Sequence, residues 1–323
     1  MAIVSQTIKL LGATEKEVVK EQFYYGLVEK NVLVTGADGQ LGSELKAFVN
    51  NINSPFRLFF TNVENLDITN RGEIEGFVVN NNIQYIINCA AYTDVDKAES
   101  DRALAYEVNV TGVENIAEVA KQNGAKVIHI STDFVFDGSM KLPYKENITT
   151  NPLSVYGLTK LQGEDVLKSK GKDWLIIRTS WLYSEYGPNF VNAMLRLMQE
   201  RESLSVVEDE VGSPTYAADL AVMIIHILQF YEQYEWTSNV YHFCNRGEVS
   251  RFEFAKEIQR LAGMKNCKIT PITAREYGAT AARPSYSALD TSKIASVFGV
   301  EIPHWEDSLK RFLQKINKKN KFQ

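Results

Sequence analysis

Residues 31–52 read NVLVTGADGQLGSELKAFVNNI, and this stretch decides the fold. NVLVT is a short β-branched run of the kind that forms a buried strand. It runs into Gly36-Ala37-Asp38-Gly39-Gln40-Leu41-Gly42, a G-x-x-G-x-x-G turn, and then into the helical SELKAFVNNI. Glycine tolerates positive φ and close backbone approach, and the free N–H groups at a helix start bind a pyrophosphate. Three glycines alone say little. A strand before them and a helix after them make a dinucleotide-binding turn the expected reading.

Outward from this turn, short apolar runs alternate with helical ones. Strands are expected at RLFFT (57–61), YIINC (85–89), KVIHI (126–130) and WLIIR (174–178), and helices over 70–82, 101–123 and 156–170. Continuously apolar strands alternating with amphipathic helices predict an α/β fold, a doubly wound parallel sheet covered on both faces. After about residue 180 the rhythm loosens. Helices are expected over 189–200, 217–231, 251–262 and 305–315, with a strand at VYHFC (240–244). The expected division is a helical extension over 1–30, a dinucleotide-binding Rossmann domain over 31–180, and a smaller C-terminal substrate lobe over 181–323 that returns elements to the main sheet. Within the extension, Val19, Phe23 and Leu27 form a narrow apolar stripe.

The 323 residues are 45% hydrophobic and 23% charged with net charge −5, which excludes disorder and leaves no basic footprint for nucleic acid or an anionic membrane. Three scattered cysteines argue against a disulfide framework or a cysteine-based zinc site and suit a reducing cytoplasm. No apolar run approaches the roughly 20 residues of a membrane helix. The basic run 315–321 (KINKKNK) reads as a solvated helix end. The four histidines lack metal spacing, with His129 and His242 expected as satisfied core side chains.

Tyr156 and Lys160 form Y-x-x-x-K, a spacing that arises about once by chance in such a chain, so its context decides. At a helix start both side chains share one face. The strand KVIHI ends in Ser131-Thr132-Asp133, and the carboxyl ends of parallel strands are where ligands sit. A phenol with a pKa near 10 is a poor proton carrier at neutral pH, and a nearby ammonium is expected to lower it. A hydroxyl can orient a carbonyl while a dinucleotide supplies hydride. Asn62 occupies the place where an acid would hold a ribose 2′-hydroxyl, so NADPH and NADH both fit; Glu64 nearby could favour NADH.

The segments TGADGQLG, NCAAYTDVDKAE, NVTGVENIAEVA, ISTDFVFDG, PLSVYGLTKLQGE, RTSWLYSEYGPNF, DEVGSPTYAADLA and AARPSYS resemble, in this order, those of dTDP-4-dehydrorhamnose reductases, extended short-chain dehydrogenases acting on nucleotide sugars. The resemblance implies NAD(P)H-dependent reduction of the C4 ketone of dTDP-4-dehydro-L-rhamnose. It implies Tyr156 as proton donor, Lys160 as its helper and Thr132 as the hydroxyl partner. Gly36, Gly39, Gln40, Leu41 and Gly42 would hold the pyrophosphate. Asn62, Asp67 and Ile68 would meet the adenosine end, while Ala91, Tyr92 and Thr93 line the dinucleotide beside Tyr156 and Lys160. Thr132, Asp133 and Trp181 would touch the sugar nucleotide, with Arg283 as a phosphate partner whose alternative is a surface salt bridge. Cys89 reads as packing, and Asp219 as a helix-start charge. Some enterobacterial members use Mg2+ at a dimer contact; no carboxylate cluster for it is evident here, so no metal site is expected, while a homodimer is compatible. The competing readings are a 4-ketoreductase or epimerase on another nucleotide sugar, and a non-catalytic subunit resembling the methionine adenosyltransferase β subunit.

Overall fold

A computed structural model describes residues 8–9, 30–52 and 54–320. The expected N-terminal helix lies outside the described residues. The central strands are β1 (Lys30–Thr35), β2 (Phe56–Phe60), β3 (Ile83–Asn88), β4 (Lys126–Thr132) and β5 (Trp174–Thr179). A later pair, β6 (Ser203–Val207) and β7 (Asn239–His242), is followed by β8 (Lys268–Ile272). The sheet is all parallel and ordered β2-β1-β3-β4-β5-β7. The doubly wound α/β expectation holds. The chain steps from β1 to β2 on one side and then crosses to β3 on the other, so the crevice of the switch point opens at the carboxyl ends of β1 and β3.

Alternation along the strands feeds two cores. Val32, Val34, Tyr85, Ile87, Leu175 and Ile177 face one side, where α1 (Gln40–Val49) and α6 (Ala217–Tyr231) cover them with Leu41, Leu45, Leu220 and Ile224. Leu33, Ile86, Val127 and Ile176 face the other. There α2 (Arg71–Asn80), α3 (Gly112–Asn123) and α4 (Val155–Lys170) supply Ile74, Val78, Ile116 and Leu167. Strands buried on both faces read as unbroken apolar runs for this reason. Each fully buried aliphatic side chain contributes about 1.5–3 kcal/mol.

The segment 239–242 pairs in register with β5, Tyr241 opposite Ile177, and becomes the sheet's sixth strand. A third core joins α5 (Phe190–Glu200), α7 (Arg251–Ala262) and α8 (Trp305–Asn320) through Val191, Phe254, Leu309 and Phe312. β6 and β8 pair in parallel beside it, a strand pair that the sequence pattern does not announce. The reason is Pro271 inside KITPI, since proline demotes a run as a strand and is tolerated at edges.

Two expectations are refined. The long helix over 101–123 is present but irregular: an α-helix over Arg102–Tyr106 passes into a π-helical turn over Glu107–Thr111 before α3 resumes. The extra residue turns Asn109 inward, where its side chain is held as described below. The basic run is not simply solvated either. Lys315 Nζ lies 2.8 Å from Glu185 Oε1 and 3.4 Å from the buried Glu44.

Candidate active site

A crevice of about 800 Å³ runs along the carboxyl ends of the strands. At its near end is the glycine turn. Gly36 follows β1 directly with φ +65°, and an added Cβ would stand 2.6 Å from the backbone nitrogen of Ala90. Gly39 occupies the N-cap of α1 with no side-chain cap, so the first N–H groups of that helix keep their donors for an incoming anion. Gln40, Leu41 and Gly42 continue the same wall. A turn pressed this closely on the backbone after β3, with uncapped donors facing the crevice, fits a dinucleotide diphosphate.

Asn62 follows β2 and also faces the crevice; its Nδ2 donates to Asp38, and its Oδ1 accepts from the Glu64 N–H at 3.1 Å. Glu64 itself is not among the residues lining the crevice. Asp67 and Ile68 lie beyond it, with Asp67 Oδ1 accepting from Thr69 N–H and hydroxyl, each at 2.9 Å. Ala91, Tyr92 and Thr93 follow β3 along the opposite wall. Tyr92 is pinned there by Asn109, whose Oδ1 accepts from Tyr92 N at 2.9 Å. Asn109 Nδ2 donates to Tyr92 O at 3.1 Å and to Thr159 on α4 at 3.1 Å.

The middle of the crevice holds the reactive side chains. Ser154 caps α4, its hydroxyl accepting from Gly157 N at 3.2 Å, so Tyr156 falls in the first turn and Lys160 one turn later on the same face. Lys160 donates to Ile130 O at 2.7 Å. Its burial draws the ammonium down to about 8. Burial likewise pushes the Tyr156 phenol up to about 12, opposed by a hydrogen bond with Thr132 and reinforced by the Asp133 charge. The expected lowering of this phenol by the lysine is therefore reversed: desolvation dominates.

Of the two hydroxyls that end β4, Ser131 is committed elsewhere, donating to Glu164 Oε1 at 2.6 Å. Thr132 faces Tyr156 and contacts Asp133 Oδ1 at 3.1 Å. Asp133 is buried, and that burial raises its carboxyl to about 6. Glu164 is fully buried; burial alone would raise its carboxyl, but two hydrogen bonds from Arg178 (2.8 and 2.7 Å) outweigh this and leave it at about 2.

The far end is built from later elements. Trp181, just past β5, has φ +45°, a left-handed conformation uncommon outside glycine. Its indole occupies the space where a side chain at Gly212 would be, 2.5 Å from that added Cβ. Arg251, the first residue of α7, lies over the Trp181 ring at 3.7 Å and reaches Glu210 at 3.7 Å. Arg283 also lines the crevice, yet it holds Asp96 with contacts of 2.6 and 3.2 Å.

All the residues expected at the site thus converge on one crevice. Asn109, Arg251 and Glu164 were not among them. Ser250-x-x-Glu253 marked the capped start of α7, but no local signal places Arg251 against a tryptophan 70 residues earlier. Cys89 lines the crevice too, its thiol pushed up to about 12 by burial. Asp219 is structural, accepting from Asn245 (2.8 Å), Ser308 (2.6 Å) and Arg311 (2.8 Å). His242 Nδ1 lies 3.0 Å from Tyr144 O in the core. Among the described residues no cluster of His, Cys, Asp and Glu is placed to hold a metal, and no helix is long and apolar enough to cross a membrane.

The family model described as RmlD substrate binding domain matches residues 30–318. The chain belongs to this RmlD family. A family member from Aggregatibacter actinomycetemcomitans, named dTDP-4-dehydrorhamnose reductase, is 40% identical over 286 residues, 86% of this chain and 97% of its own. A protein from Streptomyces niveus named dTDP-4-keto-6-deoxy-D-glucose reductase is 34% identical, covering 88% and 97%. Among solved structures, the dTDP-4-dehydrorhamnose reductase of Bacillus anthracis in complex with NADP is 41% identical with TM-score 0.82, covering 89% of this chain and 99% of its own. RmlD relatives thus match almost end to end, and the family match begins where β1 begins.

Proposed function

We propose that this protein reduces the C4 ketone of dTDP-4-dehydro-L-rhamnose to dTDP-L-rhamnose, using NADPH or NADH. The observation that carries the reading is the meeting of Thr132, Tyr156 and Lys160 halfway along a crevice that starts at an uncapped glycine turn. A reduced nicotinamide bound along Ala91, Tyr92 and Thr93 would supply the hydride for the sugar C4 carbon. The developing alkoxide takes its proton from the Tyr156 hydroxyl, which is fully protonated at neutral pH because burial holds its pKa near 12. The Thr132 hydroxyl orients the ketone oxygen toward that phenol. Lys160, mostly charged at neutral pH, favours the phenolate left behind and so assists the transfer.

The substrate is a dianion in a net-negative protein, so positive charge must be local. Arg251 is the better placed of the two far-end arginines, because Arg283 is already held by Asp96 at 2.6 Å while Arg251 meets Glu210 only at 3.7 Å. Residues 31–180 serve the dinucleotide in this reading, and residues 181–323 shape the sugar-nucleotide end. The three cysteines are unpaired, which suits a reducing cytoplasm.

A second reading is a reductase for a differently configured dTDP-4-keto sugar, favoured by the name of the Streptomyces niveus relative. One assay tests both: each sugar is supplied with NADPH or NADH and oxidation is followed by absorbance. Stoichiometric oxidation with dTDP-4-dehydro-L-rhamnose is expected. Oxidation only with the other sugar selects the second reading, and oxidation with neither rejects both.

A further inference from the structure

Behind the crevice wall, Lys160 ends a buried chain of polar side chains. Its Nζ lies 3.5 Å from His129 Nε2 on β4. The other ring nitrogen, Nδ1, lies 3.0 Å from Asn88 Nδ2 on β3. The Thr35 hydroxyl on β1 donates to Asn88 Oδ1 at 2.6 Å, and Thr35 directly precedes the glycine turn. Thr35, Asn88, His129 and Lys160 are each at most 2% exposed. Three neighbouring strands therefore deliver one solvent-excluded chain to the lysine.

We propose that His129 is a positioning residue for Lys160, braced by Asn88 and Thr35 so that its Nε2 accepts a hydrogen bond from the ammonium and keeps it within reach of Tyr156. This inference rests on the reductase reading above.

The donor inventory supports it. An ammonium has only donors, so the nitrogen facing it presents a lone pair and the ring proton sits on Nδ1. This direction needs the Asn88 carboxamide turned over from its placement here, its oxygen toward Nδ1–H and its NH2 toward Thr35. When Lys160 is uncharged, the same atoms run the other way. The Thr35 hydroxyl donates to Asn88 Oδ1, Asn88 Nδ2 donates to Nδ1, and Nε2–H donates to Nζ. Either direction links all four side chains in sequence, which matters because an unsatisfied buried polar group costs about 1–3 kcal/mol. The charged direction is the stronger, since charge-assisted hydrogen bonds are about twice as strong as neutral ones. His129 itself stays neutral: burial first, and then the Lys160 charge, hold its pKa well below the usual value. The other titratable groups around Lys160 are Tyr156 and Glu164 on its own helix, with Glu164 tied to Arg178 and Lys168, Cys89 after β3, and Asp133 after β4.

The test compares His129→Asn, whose amide replaces Nδ1 and leaves nothing at Nε2, with His129→Gln, whose amide reaches the Nε2 position. Both are made in the full chain and assayed with NADPH and dTDP-4-dehydro-L-rhamnose across pH. His129→Asn is expected to lower kcat about tenfold with the NADPH dissociation constant within about threefold. The ammonium loses an acceptor, so the alkaline limb of kcat should move to lower pH by about half a unit. His129→Gln should return that limb toward the wild-type position. A folded His129→Asn with wild-type kcat and an unmoved limb overturns the proposal, as does an equal loss in both variants with an unmoved limb. If His129→Asn does not fold, Thr35→Val decides: a smaller shift of the limb in the same direction is expected, and an unmoved limb overturns. Wild-type protein that oxidises no NADPH with this sugar overturns the reductase reading instead, a result separate from any of these.

Discussion

The guanidinium carbon of Arg251 lies over Trp181, 3.7 Å from the ring centroid, with Phe190 5.2 Å away and Glu210 as its ion-pair partner. Packing on the ring restrains the guanidinium where it lines the crevice, and a guanidinium fork suits a diphosphate. Arg251→Lys keeps the charge and loses the plane. It is expected to raise KM for the sugar nucleotide about 5–10-fold with kcat nearly unchanged, the signature of lost uniform binding. Arg251→Met should raise it further. Steady-state kinetics at saturating NADPH checks both, and unchanged KM in the two variants would leave Arg251 as packing.

Tyr156→Phe removes one oxygen. If the phenol is the proton donor, kcat should fall by about 10²–10⁴-fold, the range for a general acid. Cofactor affinity, measured by fluorescence titration with NADPH, should stay within a few-fold. Normal turnover in this variant would sink the assignment.

Asn62 stands at the end of β2 with no carboxylate of its own. In Asn62→Asp a negative charge is added where a 2′-phosphate would lie, and NADPH binding should weaken about tenfold, about 1.4 kcal/mol. NADH, which has no such phosphate, should bind as before or slightly better. The ratio of the two KM values is the measurement; an unchanged ratio places the adenosine ribose elsewhere.

Glu164 and Arg178 are a buried pair, 0% and 3% exposed. Glu164→Gln leaves a guanidinium in the core without its counter-charge, which typically costs about 3–5 kcal/mol. A clear drop in Tm is expected. Because the Glu164 carboxyl is depressed to about 2, its stabilising contribution is complete above its ordinary pKa near 4.5 and is lost as pH falls toward 2. Wild-type stability should therefore decline across that acid window, and the variant's curve should be flatter there. Urea titrations between pH 2 and 6 give both curves.

The sheet was legible because its strands are buried on two faces and so carry unbroken runs such as VLV and YII. The crevice was legible because Gly36 and Tyr156 both follow or face strand ends, and a parallel sheet brings all such ends together however far apart they are in sequence. What stayed hidden depends on contacts between distant segments. Arg251 looks like any helix-start arginine until Trp181 is folded beneath it. Asn109 looks like a mid-helix asparagine until the π-turn aims it at Tyr92. The Tyr156 pKa went the other way for a similar reason: the sequence places a lysine four residues on, but only the fold sets Tyr156 half-buried in the crevice wall and Lys160 buried behind it.

The π-turn over Glu107–Thr111 has a bearing on how this chain can be altered. It is a helix with one residue too many, and removing Val110 or Thr111 would let the helix run on regularly into α3. The repaired helix would gain standard i to i−4 hydrogen bonds while turning Asn109 by about 100° away from the backbone of Tyr92. Local regularity and the anchoring of the crevice wall are opposed along these five positions. A deletion that restores the regular helix would detach the loop on which the dinucleotide is proposed to rest.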